Sequence, residues 1–485
     1  MLSKRNTGAT YRFATVKFRF SKRHKGSGTL ERMSPMTDGG FFSPEDASKE
    51  VERLVRPSRP VLWNPSNEYK FELTIPPTVY PPKEDTDLMA TRLISFGPGR
   101  GRKLLEIGCG SGALCLLAAS LGWNVSACDI NPFSVAATKG NLESYNLQGK
   151  IKEGGVSPEK FPFEGNFDLI IWNLPYIPVS EIKDVLGPME EAALIDTDEE
   201  GLGNRLISCI VSNQLLAPNG RILILSRENV TFNNKIFAIR KWDKFDFEDG
   251  EKIAIFCLWR PFENAISEYV KSTGSTNDDL MKYSGIGSHI STSRQHSGRG
   301  RRNREWFSIE NSYAGSWIVS EGEDFNPGML QLSGGLAVLN SINDQRLKLK
   351  WPNDIILDGK KLCGILVEGK TLNNQTKVII GIGINLKNGE NFDKIRIASL
   401  DELTEITHEE LDVRLNRELS SLLEEKQDIP PINLEIIREH VMSFMSNSGK
   451  PKYDGVIYKK FGLNERGELL LGDKIIDDGE DIEWT

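Results

Sequence analysis

The sequence is short of the residues that hold metal-built or cross-linked folds together. Six cysteines (109, 115, 128, 209, 257 and 363) are scattered through 485 residues with no C-x-x-C pair, and five histidines stand alone at 24, 289, 296, 408 and 440. That supply argues against a disulfide scaffold and a structural zinc site, leaves no metal ligand set to expect, and fits a reducing, cytoplasmic compartment. No long apolar run is present either. The longest, around Ala113 to Trp123, falls short of the roughly 20 residues that a bilayer crossing needs, so no membrane partner is expected. Compositional bias is absent as well: 39% apolar and 26% charged residues, with 44 glycines and 23 prolines, exclude collagen, coiled-coil and wholly disordered chains. The length itself, at roughly 150 residues per domain, implies about three domains.

The net charge of -8 hides an asymmetry, because residues 1–32 carry nine Lys or Arg against the single acid Glu31, leaving 51 basic and 67 acidic residues in the body. The head is Ser/Thr-rich and glycine-punctuated, compatible with a disordered arm, a transit peptide, or translation from a start upstream of Met33 or Met36. Residues 1–44 are read as a basic, disordered or extraneous tail without a catalytic role. Folded units are expected over 45–260, 261–446 and 447–485.

In the first unit, KLLEIGCGSGALCLLAASLGWNVSACDINP from Lys103 reads as a strand, a glycine turn, a small-residue helix and a second strand ending in an acid, the first half of a doubly wound α/β domain. Gly108, Gly110 and Gly112 let backbone approach a ligand, and Asp129, 19 residues after Gly110, stands where an acid accepts hydrogen bonds from ribose hydroxyls. Gly108, Gly110 and Ala113 also fit a dinucleotide-binding G-x-G-x-x-A. Three features favour S-adenosylmethionine instead: Glu106, two residues before the first glycine, where a carboxylate can face a cation; a strand DLIIWNLPY (Asp168 to Tyr176); and YPPKEDTDL (Tyr80 to Leu88) upstream. The Asn173 amide and a proline-fixed carbonyl can hold a planar NH2 group while Tyr176 covers its face, so catalysis would be mostly positioning. The bland alternative is a strand-ending turn. Cysteines 109, 115 and 128 read as small packed residues. Leu215 to Ser226 and Glu251 to Trp259 read as a fifth strand and a last, edge strand.

The segment from about Val79 to Leu225 resembles the class I, Asn-Pro-Pro-Tyr-type methyltransferases, and within them the release-factor glutamine methyltransferase family, whose archaeal and eukaryotic branch the Pro82 to Thr86 motif favours. The resemblance implies a Rossmann-like fold with Glu106, Gly108, Gly110 and Gly112 lining S-adenosylmethionine, Asp129 on its ribose, Asn173 beside it, and Asn173, Pro175 and Tyr176 at a glutamine amide. Leu174 departs from the usual Pro. Asn-Leu-Pro-Tyr also occurs in ribosomal-RNA adenine dimethyltransferases, so amide and adenine both stay open, with the upstream motif arguing for amide.

The second unit changes character. KSTGSTNDDL (Lys271 to Leu280) offers hydroxyls and amides, and QHSGRGRRNREWFS (Gln295 to Ser308) is a glycine-spaced guanidinium loop in which Gly298 and Gly300 allow close approach among Arg299, Arg301, Arg302 and Arg304. Such a loop suits phosphate or adenylate, although nucleic acid or a solvated loop would also fit it. KLKWPNDIILDGKKLCGILVE (Lys348 to Glu368) reads as a strand, a turn and a second strand, and GIGINL (Gly381 to Leu386) as a glycine-broken strand. Together they suggest a sheet floor with an adenylate site. HEELDVRLNRELSSLLEE (His408 to Glu425) puts Leu411, Leu415, Leu419, Leu422 and Leu423 on one helix face.

These strings resemble, in order, the biotin protein ligases, also called biotin–[acetyl-CoA-carboxylase] ligases, over Ala265 to about Thr485. The resemblance implies an α+β catalytic domain and a small C-terminal SH3-like β-barrel that helps close the site. Ser275, Thr276, Asn277 and Gln295 would hold biotin; Gly298, Arg299, Gly300 and Arg301 would form the loop over biotin and the activated phosphate. Lys361 would touch the acyl phosphate, Asp354 would sit beside the incoming lysine amine, Gly364 and Gly383 would line the floor, and Trp306 would stack on adenine or belong to the core. ATP, biotin and Mg2+ are the implied ligands, and biotinyl-adenylate formation followed by transfer to a carrier-protein lysine the implied reaction. His296-Ser297 stand where Thr-Ala is usual, and Asn303 where glycine is usual, which puts loop closure in doubt. The implied whole is a bifunctional cytoplasmic enzyme: a biotin ligase for a biotin carboxyl carrier protein joined to a methyltransferase for a translation release factor. A methyltransferase half acting on RNA, or serving only to bind protein, is the alternative; DNA binding is disfavoured.

Overall fold

The computed structural model describes residues 57–156, 161–175, 177–178, 195–196, 201–248, 250–303, 305–306, 312–322, 325–372, 375–387 and 397–485. The tail expected over 1–44, as well as Tyr176 and Arg304, lies outside them. The first half opens with an antiparallel hairpin, β1 (Arg59–Trp63) and β2 (Phe71–Ile75), whose alternating Phe71, Leu73 and Ile75 are buried. Helix α1 (Glu84–Ser95) follows, then β3 (Lys103–Ile107), α2 (Ala113–Ser120), β4 (Asn124–Asp129), α3 (Pro132–Ser144), β5 (Gly149–Glu153) and β6 (Phe167–Asn173). After a two-residue parallel pair, β7 (Ile177–Pro178) with β8 (Ile195–Asp196), come α4 (Leu202–Ser212), β9 (Leu216–Arg227), β10 (Ala238–Asp246) and β11 (Lys252–Trp259).

One seven-stranded sheet has the order β10-β11-β9-β6-β3-β4-β5, parallel from β9 to β5 and antiparallel at β10 and β11. Its central strands are apolar on both faces because both are covered. Leu104, Leu169, Ile171, Leu223 and Leu225 pack in one core with α2, while Leu105, Ile107, Ile170, Trp172, Ile222 and Ile224 pack in another with α4. The chain leaves β3 towards β4 and β5, then returns to β6 on the other side of β3. That reversal opens a crevice at the carboxyl ends of β3 and β6, where ligands bind in such sheets. The strand expected at the edge, 251–259, is internal instead. Every residue from Ile253 to Trp259 is buried, and β10 covers it. The sequence of β10, AIRKWDKFD, is charged as edge strands commonly are, which disguises it.

The second half is built on β12 (Ser267–Val270), the short helix α5 (Thr276–Asp279), β13 (His289–Thr292), the small hairpin β14 (Gly298–Arg299) and β15 (Glu305–Trp306), β16 (Ser312–Glu321) and α6 (Pro327–Ile342). It continues through β17 (Leu347–Lys350), β18 (Asp354–Leu357), β19 (Lys360–Leu372), β20 (Gln375–Asn385), α7 (His408–Leu423) and α8 (Leu434–Ser446). The order β12-β13-β16-β20-β19-β18-β17 is antiparallel except for β12 beside β13. The strand–turn–strand reading of 348–368 misses β18. Asp358 (φ 48°) and Gly359 (φ 79°) make a left-handed two-residue turn between β18 and β19, the Asp-Gly hairpin signal. Helices α6, α7 and α8 pack on one face, with Leu411, Leu415, Leu419 and Leu423 buried and Leu422 half-buried. The other face carries the site.

The last residues form two three-stranded sheets. β21 (Pro451–Tyr453) pairs with β22 (Val456–Ile457) and β26 (Glu483–Trp484), while β24 (Leu469–Leu471) pairs with β23 (Gly462–Leu463) and β25 (Lys474–Ile476). Leu463, Leu469, Leu471 and Ile482 join the core under α6 and α8. No helix among the described residues is long and apolar enough to cross a membrane.

Gly112 caps α2 with φ 77°, and a Cβ there would lie 2.8 Å from Thr138 Cα. Both strain and overlap therefore oppose a side chain. Gly112→Ala is expected to cost about 1–3 kcal/mol, read from the urea midpoint at constant m-value.

Candidate functional sites

The crevice of the first sheet is shaped by a loop whose three glycines take the left-handed conformation that glycine favours, with φ of 68°, 50° and 77° at Gly108, Gly110 and Gly112. Gly108 also has no room for a Cβ, which would lie 2.9 Å from Trp172 Nε1. The Asp129 carboxylate fastens this loop: Oδ2 accepts from Gly110 N at 2.9 Å and Oδ1 from Asn131 N at 2.8 Å. Ile130, directly after it, is 53% exposed. Beneath, Glu106 is buried and accepts from Cys115 Sγ at 2.8 Å. Burial pushes its carboxyl up to about 8, so at neutral pH it sits mostly protonated; a cation placed against it would favour the ionised form.

At the end of β6 the structure brings together two motifs far apart in sequence. Asn173 Nδ2 donates to Asp85 Oδ2 at 2.9 Å, while Asp85 Oδ1 accepts from Thr86 N at 2.6 Å and from Thr86 Oγ1 at 3.2 Å. A carboxylate can only accept, so the amide is oriented with its NH2 towards Asp85 and its Oδ1 the other way. That Oδ1 is buried and has no hydrogen-bond partner. Leu174 and Pro175 are buried. Asp85 belongs to the upstream motif but was not among the predicted site residues.

The second site is a cavity of about 600 Å3. It is lined by Ser275, Thr276, Asn277, Gln295, Arg299, Gly300, Arg301, Trp306, Asp354, Lys361, Gly364 and Gly383, leaving Gly298 as the one predicted residue behind the wall. Gly298 pairs with Trp306 across the β14–β15 hairpin. Its floor follows from register: Asp354 faces Gly364, Gly364 faces Gly383 and Gly383 faces Ala314 across four strands. A Cβ at either Gly364 or Gly383 would be 2.7 Å from the Trp306 ring, so the indole lies on a glycine floor. Its Nε1 is buried without a partner.

At one end, Gln295 Oε1 accepts from Thr276 N (2.8 Å) and Oγ1 (3.1 Å), Ser316 Oγ lies 2.6 Å from Thr276 Oγ1 and donates to Asn277 Oδ1 (2.5 Å), and Asn277 Nδ2 donates to Glu368 (2.6 Å). At the other end, Lys361 Nζ is 2.6 Å from Asp354 Oδ1 and 5.3 Å from the Trp306 ring centroid. Arg299 grips Asp278 through two 2.8 Å bonds, which hold that carboxyl well below the usual range. Arg301 faces Asp478 at 3.6 Å, and Arg302 pairs with Asp478 and, at 2.8 Å, with Glu480. Asp478 to Ile482 close the mouth, and a Cβ at Gly479 would lie 2.6 Å from Pro352 Cδ. This C-terminal wall, with Lys350 to Asn353, completes the cavity; a generic acidic turn such as IIDDGEDIE gives no signal of it.

Residues 267–385 match the family model described as Biotin/lipoate A/B protein ligase family, and residues 104–192 match Methyltransferase domain. The chain carries both domains. Its ligase-type domain is 32% identical over 124 residues to the biotin–[acetyl-CoA-carboxylase] ligase of Paracoccus denitrificans, covering 24% of this chain and 52% of that protein. The methyltransferase domain is 32% identical over 116 residues to "Putative protein N5-glutamine methyltransferase MJ0928" of Methanocaldococcus jannaschii, covering 24% of this chain and 56% of that one. The chain thus spans about half the length of these relatives. A biotin protein ligase from Aquifex aeolicus in complex with biotin and ATP is similar at 26% identity, over 45% of this chain and 99% of that one, with a TM-score of 0.37. Among the described residues, no three His, Cys, Asp or Glu are grouped to hold a metal ion.

Glu106 predicts a pH signature of the methyltransferase domain. A carboxyl whose folded pKa is about 8 against an ordinary 4.5 contributes stability that is full below 4.5 and lost as pH rises through 8. Glu106→Gln should therefore be little changed at pH 4.5 and gain a few kcal/mol on wild type by pH 8, measured as the difference between the two proteins in denaturant unfolding.

Proposed function

We propose that the chain is a bifunctional enzyme, an ATP-dependent biotin ligase joined to an S-adenosylmethionine-dependent N-methyltransferase. The observation that carries the ligase half is the glycine-floored cavity, which gathers five separate sequence motifs around one volume. Its neutral end, with fixed donors and acceptors from Ser275 to Asn277 and Gln295, suits the ureido ring of biotin. The flat Trp306 surface suits adenine, and Arg299, Arg301 and Lys361 suit the phosphates. Biotin carboxylate would attack the α-phosphorus of ATP, releasing pyrophosphate, and the amine of a lysine of a biotin carboxyl carrier protein would then take the acyl group from biotinyl-adenylate, releasing AMP. Lys361 offsets the charge that builds on phosphorus oxygens. Asp354, beside it, is placed to receive the proton of the carrier lysine. Magnesium would arrive on the nucleotide, because Asp354, Asp478 and Glu480 in the cavity lining are engaged by Lys361, Arg301 and Arg302.

For the first half, the reading rests on Asn173. Its buried Oδ1 fits an N–H of a planar NH2 group, with Asp85 as the positioning residue that fixes the amide. S-adenosylmethionine supplies an electrophilic methyl group; Gly108 to Gly112 would hold its backbone-hugging part, Asp129 its ribose and Ile130 its adenine, with Glu106 beneath. The Pro82–Thr86 segment, which delivers Asp85, favours a protein glutamine such as that of a translation release factor over an RNA adenine. We assign 45–260 to the methyltransferase, 261–446 to the ligase and 447–485 to a small SH3-like barrel whose Asp478–Ile482 segment walls the ligase cavity, in a protein of the cytoplasm.

Incubating a biotin-carrier domain with the protein, ATP, magnesium and biotin should add one biotin mass, and lipoate none; Lys361→Ala should slow the gain by about 100-fold or more. Absence of a gain from folded protein would overturn the ligase reading. For the methyltransferase, labelled methyl should pass to a release factor and not to ribosomal RNA. Asn173→Ala should abolish it, and Asp85→Asn should lower kcat about 10- to 100-fold with little change in KM for S-adenosylmethionine; transfer to RNA alone would reassign the acceptor.

A further inference from the structure

The edge of the methyltransferase sheet does not face solvent along its length. At β10 the Ile239 N–H donates to Ser421 Oγ at 3.1 Å. The Arg240 guanidinium donates to the main-chain carbonyls of Ser420 (3.3 Å), Ser421 (2.9 Å), Glu424 (3.2 Å) and Pro430. Ser420, Ser421 and the capping residue Glu424 lie at the end of α7, where the helix dipole is negative and the last carbonyls run out of intrahelical donors, so a cation is held there. Ser420 O alone of the three accepts one, from Glu424 N (3.0 Å). Trp259 of β11 lies 5.4 Å from the guanidinium, and its Nε1 donates to Ser420 Oγ (3.0 Å) and Glu424 Oε2 (2.9 Å). Arg221 of β9, 2% exposed, pairs with Asp428 at 2.9 Å.

One apolar side chain crosses as well. Ile429 from the ligase half packs into the methyltransferase core. The connection between the halves is pinned: Arg260 donates to Leu216 O (2.7 Å) and Ala217 O (2.8 Å), and Glu263 accepts from Asn219 N (2.8 Å). On its other side, α7 is tied to the ligase sheet, since Asp412 accepts from Tyr313 Oη (2.6 Å) and lies 3.0 Å from His289 Nε2, while Asn416 accepts from Trp317 Nε1 (3.1 Å).

Interfaces between domains of one chain are by default polar and permissive of motion. Here the Trp259 contacts are buried and those of Arg240 and Arg221 partly buried, so breaking one partner leaves a partly desolvated charge or carbonyl in the other half. We propose that the edge of the methyltransferase sheet is a built docking surface for the C-terminal end of α7, anchored by Arg240, and that it makes the two halves one cooperative folding unit. The ligase half then depends on the methyltransferase half for the order of α7. This holds whatever reaction either half performs.

The test uses full-length protein in scanning calorimetry and hydrogen exchange. Wild type should unfold in one transition, with amides of Leu415–Leu423 as protected as those of Ile222–Leu225. Arg240→Ala should speed exchange in Leu415–Leu423 by about 100-fold, leave Ile222–Leu225 protected, and split the transition in two. Arg240→Lys, which keeps the charge without the fork of donors, should fall between, and decides the matter if the alanine variant does not fold. Two transitions in wild type, or unchanged exchange in Leu415–Leu423 in the lysine variant, would overturn the proposal.

Discussion

A side chain at Gly383 or Gly364 would reach within 2.7 Å of the Trp306 indole, and most of the ligase-type site depends on that missing atom. Antiparallel register lines the two glycines up between Asp354 and Ala314, so their gaps merge into a trough across four strands. The indole can lie flat there, Lys361 can pass over it, and the β14–β15 hairpin can close on the sheet because nothing projects from the floor. Gly381 repeats the device one row on: a Cβ there would be 2.7 Å from Asn277 Oδ1, and without it the Asn277–Ser316–Thr276 network settles against the backbone. Packing on the opposite face, through α6, α7 and α8, keeps that backbone still.

In the first half the constraint is conformational rather than spatial. Three residues with positive φ bend the loop after β3, and Asp129 is spent on two backbone N–H groups that keep it bent. The acid at the end of β4 therefore shapes the site before it can touch any ligand. Asp85 acts similarly on Asn173, turning a symmetric-looking amide into a directed acceptor. Two carboxylates thus supply geometry, while the third, Glu106, stays buried and raised in pKa beneath them.

What was legible in the sequence is what local chemistry dictates. Glycines that need positive φ or an absent Cβ, the Asn-Leu-Pro strand end, and the leucine period of α7 are each fixed within a few residues, and the structure puts Gly108–Gly112, Asn173 and Leu411–Leu423 accordingly. Features set by distant partners were not. Asp85 meets Asn173 across 88 residues, and β10 looks like a charged loop until β11 and α7 are placed beside it. Asp478 and Glu480 resemble any acidic turn, and only the return of the chain to Arg301 and Arg302 makes them a wall. The Asp358-Gly359 hairpin was readable from its two residues, but the surrounding apolar run masked it.

That acidic wall bears on how the ligase-type cavity balances its charge. Five cations (Arg299, Arg301, Arg302, Lys350 and Lys361) and four carboxylates (Asp354, Asp478, Glu480 and Asp481) line it, and four of the five cations are already paired with a carboxylate of the chain. Unpaired, such a cluster would repel itself and strain the arginine loop. With internal partners, the loop is held over the cavity at nearly neutral charge. A polyphosphate entering it on the ligase reading does not meet bare cations but exchanges partners with carboxylates, so its net gain is the difference between two ion pairs rather than the whole of one. Selectivity then comes from geometry, because a phosphate offers oxygens on several sides of phosphorus and can engage Arg299, Arg301 and Lys361 together, where each carboxylate serves only one or two of them.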